Sequence, residues 1–236
     1  MNPTLVLSFL RQRLTSPMRI ILIGLSFVSS LGIVAVTQQL GTLEGSSAWF
    51  ALILAAGAIG QEVSSGVLTL TFARPVSRAS YVFSRWAGAG GFAAALGLVQ
   101  IVAGLMAIAA RGGAMPAGAD LAALVIECVL LAFTAAAVMI MLSSLLNGLG
   151  DVGVWAIGST VAAFVGMIAQ AKNWAVLAKV AEEVGLVFLP KVHVGWIFGH
   201  GDPQVFALVS LFSTLTASLA VAVWSVNRKE LSYAAG

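Results

Sequence analysis

Six stretches of this chain are almost wholly apolar, at residues 20–36, 45–61, 86–110, 121–146, 152–171 and 203–226, with short polar connections between them. A helix needs about 20 mostly apolar residues to cross the hydrocarbon core of a bilayer. The pattern therefore predicts six membrane-spanning helices, the first two at the short end of that range and the others long enough to tilt. Ahead of the first span, Leu5, Val6, Phe9, Leu10 and Leu14 recur at spacings of three to five, with Arg11, Gln12 and Thr15 between them and Pro17 after them. That spacing predicts an amphipathic helix within 1–19, lying in the membrane interface, followed by a bend into the first span. Between spans five and six, residues 172–202 contain "LVFLP" and "VHVGWIF". These short apolar pieces, with Trp174 and Trp196 near them, predict re-entrant or interfacial helices rather than an external domain.

Composition agrees with the pattern. Of 236 residues, 60% are hydrophobic and 9% charged, where soluble domains carry about 25% charged residues. A cleaved signal peptide would leave a polar mature chain, but here the apolar runs continue to the last span. The expected fold class is thus an all-α integral membrane protein, a single domain over 1–236. The lone cysteine, Cys128, sits in an apolar run and reads as a small buried residue.

Charge gives the expected orientation. Eight of the twelve Lys and Arg residues (Arg11, Arg13, Arg19, Arg74, Arg78, Arg85, Arg228 and Lys229) fall on one side of a six-span topology, and Arg111, Lys172, Lys179 and Lys191 on the other. The positive-inside tendency places the first side, with both termini, in the cytoplasm. The net charge of +3 is spread along span ends rather than gathered in a patch, so no nucleic-acid partner is expected.

Several motifs are decoys. "GLGDVG" (Gly148, Gly150, Gly153) and "GAGGFA" from Gly88 match dinucleotide-fingerprint spacing, but they lie at the ends of spans and not where a strand turns into a helix. Tight turns and close helix packing are the expected roles. No lysine follows a glycine, which removes the P-loop and with it ATP binding of that kind. Glu182 and Glu183 begin the E-E-x-x-x-R pattern of CAAX-type intramembrane proteases, but position 187 is Val187, so a solvated acidic turn is expected. His193 and His200 stand seven apart, with no carboxylate or cysteine at ligand spacing to join them as a metal or haem site. Glu127 is ionisable well inside a span, which makes it a candidate for a transport path as well as for a structural role. Small residues recur every fourth position in span five (Gly158, Ala162, Gly166) and span six (Ser210, Thr214, Ser218, Ala222), faces suited to close helix contact within the chain or across a dimer.

The connection after span two reads "GQEVSSGVLTLTFARPVSRASYVFSRW". Its acid Glu62, the run Gly66, Val67, Leu68, and then Pro75, Val76, Ser77, Arg78 resemble the loop of ABC-2 type permeases, the membrane subunits of many ATP-binding-cassette exporters. The family's loop runs acid, a few polar residues, Gly-Thr-Leu, then Pro-x-Ser-Arg. Here valine replaces threonine, and Ser64 and Ser65 thin out the charge after the acid. The interfacial first helix, six spans, re-entrant pieces and basic tail fit the same family. The resemblance implies a cytoplasmic coupling helix resting on a separate ATP-binding subunit, with Glu62, Gly66, Leu68, Arg74, Pro75, Ser77 and Arg78 in the coupling loop. Asn147 and Asp151, in the short turn between spans four and five, would make a second contact. It further implies two permease chains with two ATP-binding chains, ATP and Mg on the partner, a bacterial inner-membrane location, and no enzyme chemistry or cofactor in this chain. An ATP-independent transporter or channel, and a membrane enzyme or haem protein, are the competing classes. The cargo stays open among lipid, peptide, polyketide, sugar polymer and drug.

Overall fold

A computed structural model describes residues 3–73, 76–199 and 202–229. The described residues are all-helical, without strands. They form α1 (Pro3–Leu14), α2 (Pro17–Thr37), α3 (Ser46–Ala55), α4 (Gly60–Ser64), α5 (Val67–Phe72), α6 (Arg78–Ala110), α7 (Gly118–Leu145), α8 (Gly150–Ala171), α9 (Ala175–Phe188) and α10 (Val205–Arg228), with single 3-10 turns at Leu40–Leu43 and Gly195–Phe198. Six segments are long and apolar enough to cross a membrane: α2, the stretch Leu40–Ser64 around α3 and α4, α6, α7, α8 and α10. This is the outline of a multi-pass membrane protein.

The core is built on α7, which packs against α3, α6 and α10. Its Ala132, Ala135, Ala136, Ala137 and Val138 are fully buried, because small side chains on one helix let three neighbours approach it closely. Glycines on α6 serve the same end: a Cβ on Gly88 would meet the Phe9 ring and one on Gly90 the Phe133 ring. Close packing, and not a phosphate loop, accounts for "GAGGFA". By contrast α2 and α8 lie at the periphery and expose Leu25, Val28 and Val36, and Ile157, Val161 and Phe164. Apolar surface of this kind is at home against lipid tails or another membrane helix.

Helix boundaries correct the sequence reading in three places. The second span is not one helix: α3 stops at Ala55, the chain turns through 56–59, and α4 resumes at Gly60. The third span was read from residue 86, but its helix α6 starts at Arg78, where the Ser77 hydroxyl caps it by accepting from the Ser80 N–H at 3.2 Å. Finally, Glu182 and Glu183 sit within helix α9, not in a turn.

That helix runs back along α8. The Trp155 indole donates to the Phe188 carbonyl at 2.8 Å, and Gly158 lies under the Phe188 ring, so the last turn of α9 reaches the first turns of α8. The small face of span five is therefore occupied within the chain, with Ala162 facing Gly185 and Gly166 facing Ala181. In span six, Ser218 and Ala222 are buried.

Candidate functional site

One end of the bundle gathers the basic side chains Arg13 and Arg19 at the break in the second span and Arg85 just after it, with Arg78 at the end of α10. A break inside a span frees backbone groups that water cannot reach, so each needs a partner. The Gly57 N–H donates to Asp151 Oδ2 (2.5 Å), and the Ile59 and Gly60 N–H groups both donate to Ser143 Oγ (2.9 and 3.0 Å). The Gly148 N–H donates to the Gly60 carbonyl (2.9 Å). On the other side, Arg13 Nη1 and Arg19 Nη2 donate to the Ala56 carbonyl (3.0 and 3.3 Å) and to Gln61 Oε1 (3.3 and 3.2 Å). Four distant parts of the chain thus hold one turn in place. Burial, with Arg19 alongside, brings Arg13 down to about 10, so it remains charged at neutral pH.

Asp151 was expected at the surface of a partner-facing turn; instead it is fully buried at the start of α8, and its other oxygen accepts from the Val152 N–H. Asn147 in the same turn is exposed. Asp151→Ala would leave the Gly57 N–H without an acceptor, and the expected loss is about 1–3 kcal/mol. Asp151→Asn, which keeps an acceptor, is expected to lose less; melting temperatures of the two purified variants check the order.

Immediately after the break comes Glu62, which is 2% exposed. Its Oε2 accepts from Tyr81 Oη (2.5 Å) and from Arg85 Nη2 (3.0 Å), both on the first turns of α6. Oε1 stands 2.7 Å from the same Arg85 nitrogen, a contact of charge without hydrogen-bond geometry. The Arg85 guanidinium lies over the rings of Phe9 and Tyr81, at 5.1 and 4.9 Å, while its Nε and Nη1 have no acceptor among the described residues. Glu62 therefore points inward and ties α4 to α6.

Gly66, in the left-handed region at φ +74°, turns the chain into α5. On α5, Leu68 is buried and Phe72 packs edge-on against Tyr81 at 5.3 Å. Val67 and Leu70 face outward, Leu70 at 71% exposure. Arg74 and Pro75 lie outside the described residues. Arg78 Nη1 donates to the carbonyls of Val226, Asn227 and Lys229 (3.0, 2.6 and 3.3 Å), placing a cation at the carboxyl end of α10.

At the opposite end, Glu127 is 7% exposed and its Oε1 accepts from the Val194 N–H at 2.6 Å. This pins the segment after α9 to α7, a structural use that sequence left open. His193 Nδ1 lies 3.1 Å from Glu44 Oε1. Carboxylates thus do join His193, although they come from positions too remote in sequence for ligand spacing to reveal. His200 lies outside the described residues. Arg111, at the end of α6, donates to the Ala35 carbonyl.

The chain matches no protein-family model and no curated protein.

Proposed function

We propose that this chain is the membrane-spanning subunit of an ABC exporter of the ABC-2 type, with α5 as the helix that receives motion from a separate ATP-binding subunit. The observation that supports this reading is the construction of α5. It is a six-residue helix at the basic end, with outward Val67 and Leu70 and an inward side anchored through Leu68 and Phe72. A push on α5 would pass through Phe72 to Tyr81 and through Glu62 to Arg85, both on α6, while Arg78 links the start of α6 to the end of α10. These contacts would let a docked subunit move α6 and α10 as rigid bodies, a hinge-or-shear transition. In this reading the basic end and both termini are cytoplasmic, the membrane is the bacterial inner membrane, and α1 rests at the interface. The 175–198 segment is re-entrant, two copies of the chain flank the path, and ATP with Mg binds the partner subunits. Asn147, exposed beside the break, stands where a second contact would fall.

The test is co-expression with the genes neighbouring this one, followed by purification through a tag on this chain. A P-loop ATPase is expected to copurify with the wild type, and Leu70→Asp is expected to lose it while the melting temperature changes little, because Leu70 is exposed. Retention of the ATPase by Leu70→Asp together with Val67→Asp would remove α5 as the docking helix. A folded chain that purifies without any ATPase would favour an ATP-independent transporter.

A further inference from the structure

Toward the end of the bundle opposite the basic cluster, Glu44, Glu127 and His193 come together from three elements: the turn before α3, the third turn of α7 and the segment between α9 and the Gly195–Phe198 turn. One ligand atom from each lies within 4.8 Å of the other two. We propose that these three residues bind a divalent transition-metal ion, zinc foremost.

The chemistry of the donors points to that class. An imidazole nitrogen with two carboxylate oxygens suits zinc and its first-row neighbours, whereas calcium and magnesium prefer all-oxygen sites. Two donors on a tetrahedral zinc, each about 2.0–2.1 Å from the ion, stand about 3.3 Å apart, and His193 Nδ1 and Glu44 Oε1 are 3.1 Å apart. Glu127 is the decisive member. It is 7% exposed, its Oε1 accepts from the Val194 N–H, and it also borders an open cavity. A carboxylate at this depth in a span is costly unless a cation or cavity water faces it, and a second carboxylate nearby raises that cost. His193 when protonated, and Lys191, which acts on Glu44 from nearby, supply charge at the rim.

Room is present as well. A cavity of about 220 Å³ is bordered by Leu40, Gly41, Glu44, Asp120, Leu124 and Glu127, two of the three ligands, with His193 outside its wall. It gives water access to the two carboxylates, and a three-ligand zinc site completes its coordination with water. His193 is the exposed member and Glu44 is half-buried, so their side chains can turn toward Glu127 without moving a helix. A bound ion would clasp the segment after α9 to α3 and α7. The proposal stands on these residues whether or not the chain is a permease.

The experiment is zinc binding by the full chain, purified in mild detergent, freed of its tag and treated with chelator. Equilibrium dialysis is expected to give one zinc per chain, with binding at least about 10-fold weaker in each of His193→Ala and Glu127→Gln. A zinc-dependent rise in melting temperature should appear in the wild type and be absent from His193→Ala. His193 is exposed and Gln keeps an acceptor for the Val194 N–H, so both variants should fold. Wild-type protein that takes up no zinc above the detergent blank overturns the proposal. So does equal zinc uptake by wild type and both variants, which would mark an adventitious ion only, and so does a carboxylate–imidazole cluster whose melting temperature ignores zinc.

Discussion

Glu62→Ala is expected to lower the stability of the bundle by about 3–5 kcal/mol, the range for removing one partner of a buried ion pair. The Arg85 guanidinium would keep its ring contacts with Phe9 and Tyr81 but lose the one carboxylate it meets among the described residues, and Tyr81 Oη would lose its acceptor. The pair is 6% and 2% exposed in its side chains, so water cannot take over. Replacing both members with methionine is expected to cost less than Glu62→Ala, because no uncompensated charge remains. The chain carries its own reporter: Cys128 is the single cysteine and is buried, so a dye that fluoresces on reacting with thiols follows unfolding. Melting of Glu62→Ala at the wild-type temperature would mean that the ion pair does not hold α4 to α6.

Gly60→Ala is the second large effect, and its cause is steric. A Cβ at Gly60 would stand 2.6 Å from the Leu146 carbonyl oxygen and 2.8 Å from that of Gly148. Both are backbone atoms, and they cannot swing aside as a side chain would. The Gly60 N–H and carbonyl are themselves tied to Ser143 and to the Gly148 N–H. Relief thus requires the break in the second span and the turn before α8 to separate, and overpacking of this kind costs about 1–3 kcal/mol or more. Gly66→Ala makes the contrast. Its Cβ would meet nothing within 4 Å, and only the left-handed φ of +74° opposes it, a penalty of about 1–2 kcal/mol. The same thiol assay ranks the two, and a larger loss for Gly66 than for Gly60 would contradict the packing described.

The spans were legible because a run of about 20 apolar residues has few other stable states. Where the chain departs from that rule, the reason is tertiary. Residues 45–61 read as one continuous span, and nothing local announces the turn at 56–59. Gly57 and Gly60 permit it, but Asp151, Ser143, Arg13 and Arg19 satisfy its backbone, and they come from elsewhere in the chain. Glu62 was assigned to a partner-facing loop only through the family resemblance; Arg85, 23 positions on, turns it inward. The small face of α8 could be seen in the sequence, whereas its occupant, α9, could not, since Phe188 meets Gly158 only once the 175–188 helix folds back. Glu44, Glu127 and His193 were hidden for the same reason: no spacing rule links a turn, a span and a connecting segment. Ser77, by contrast, caps α6 through a purely local contact, because capping joins residues three apart.

A photo-crosslinking amino acid at position 70 in intact cells, with position 157 on the exposed face of α8 as the control, tests whether α5 carries the contact with an ATP-binding subunit. A crosslinked P-loop ATPase is expected from position 70 and none from position 157. Crosslinks from position 70 to lipid alone, in cells where the chain is folded and in the membrane, would contradict that contact.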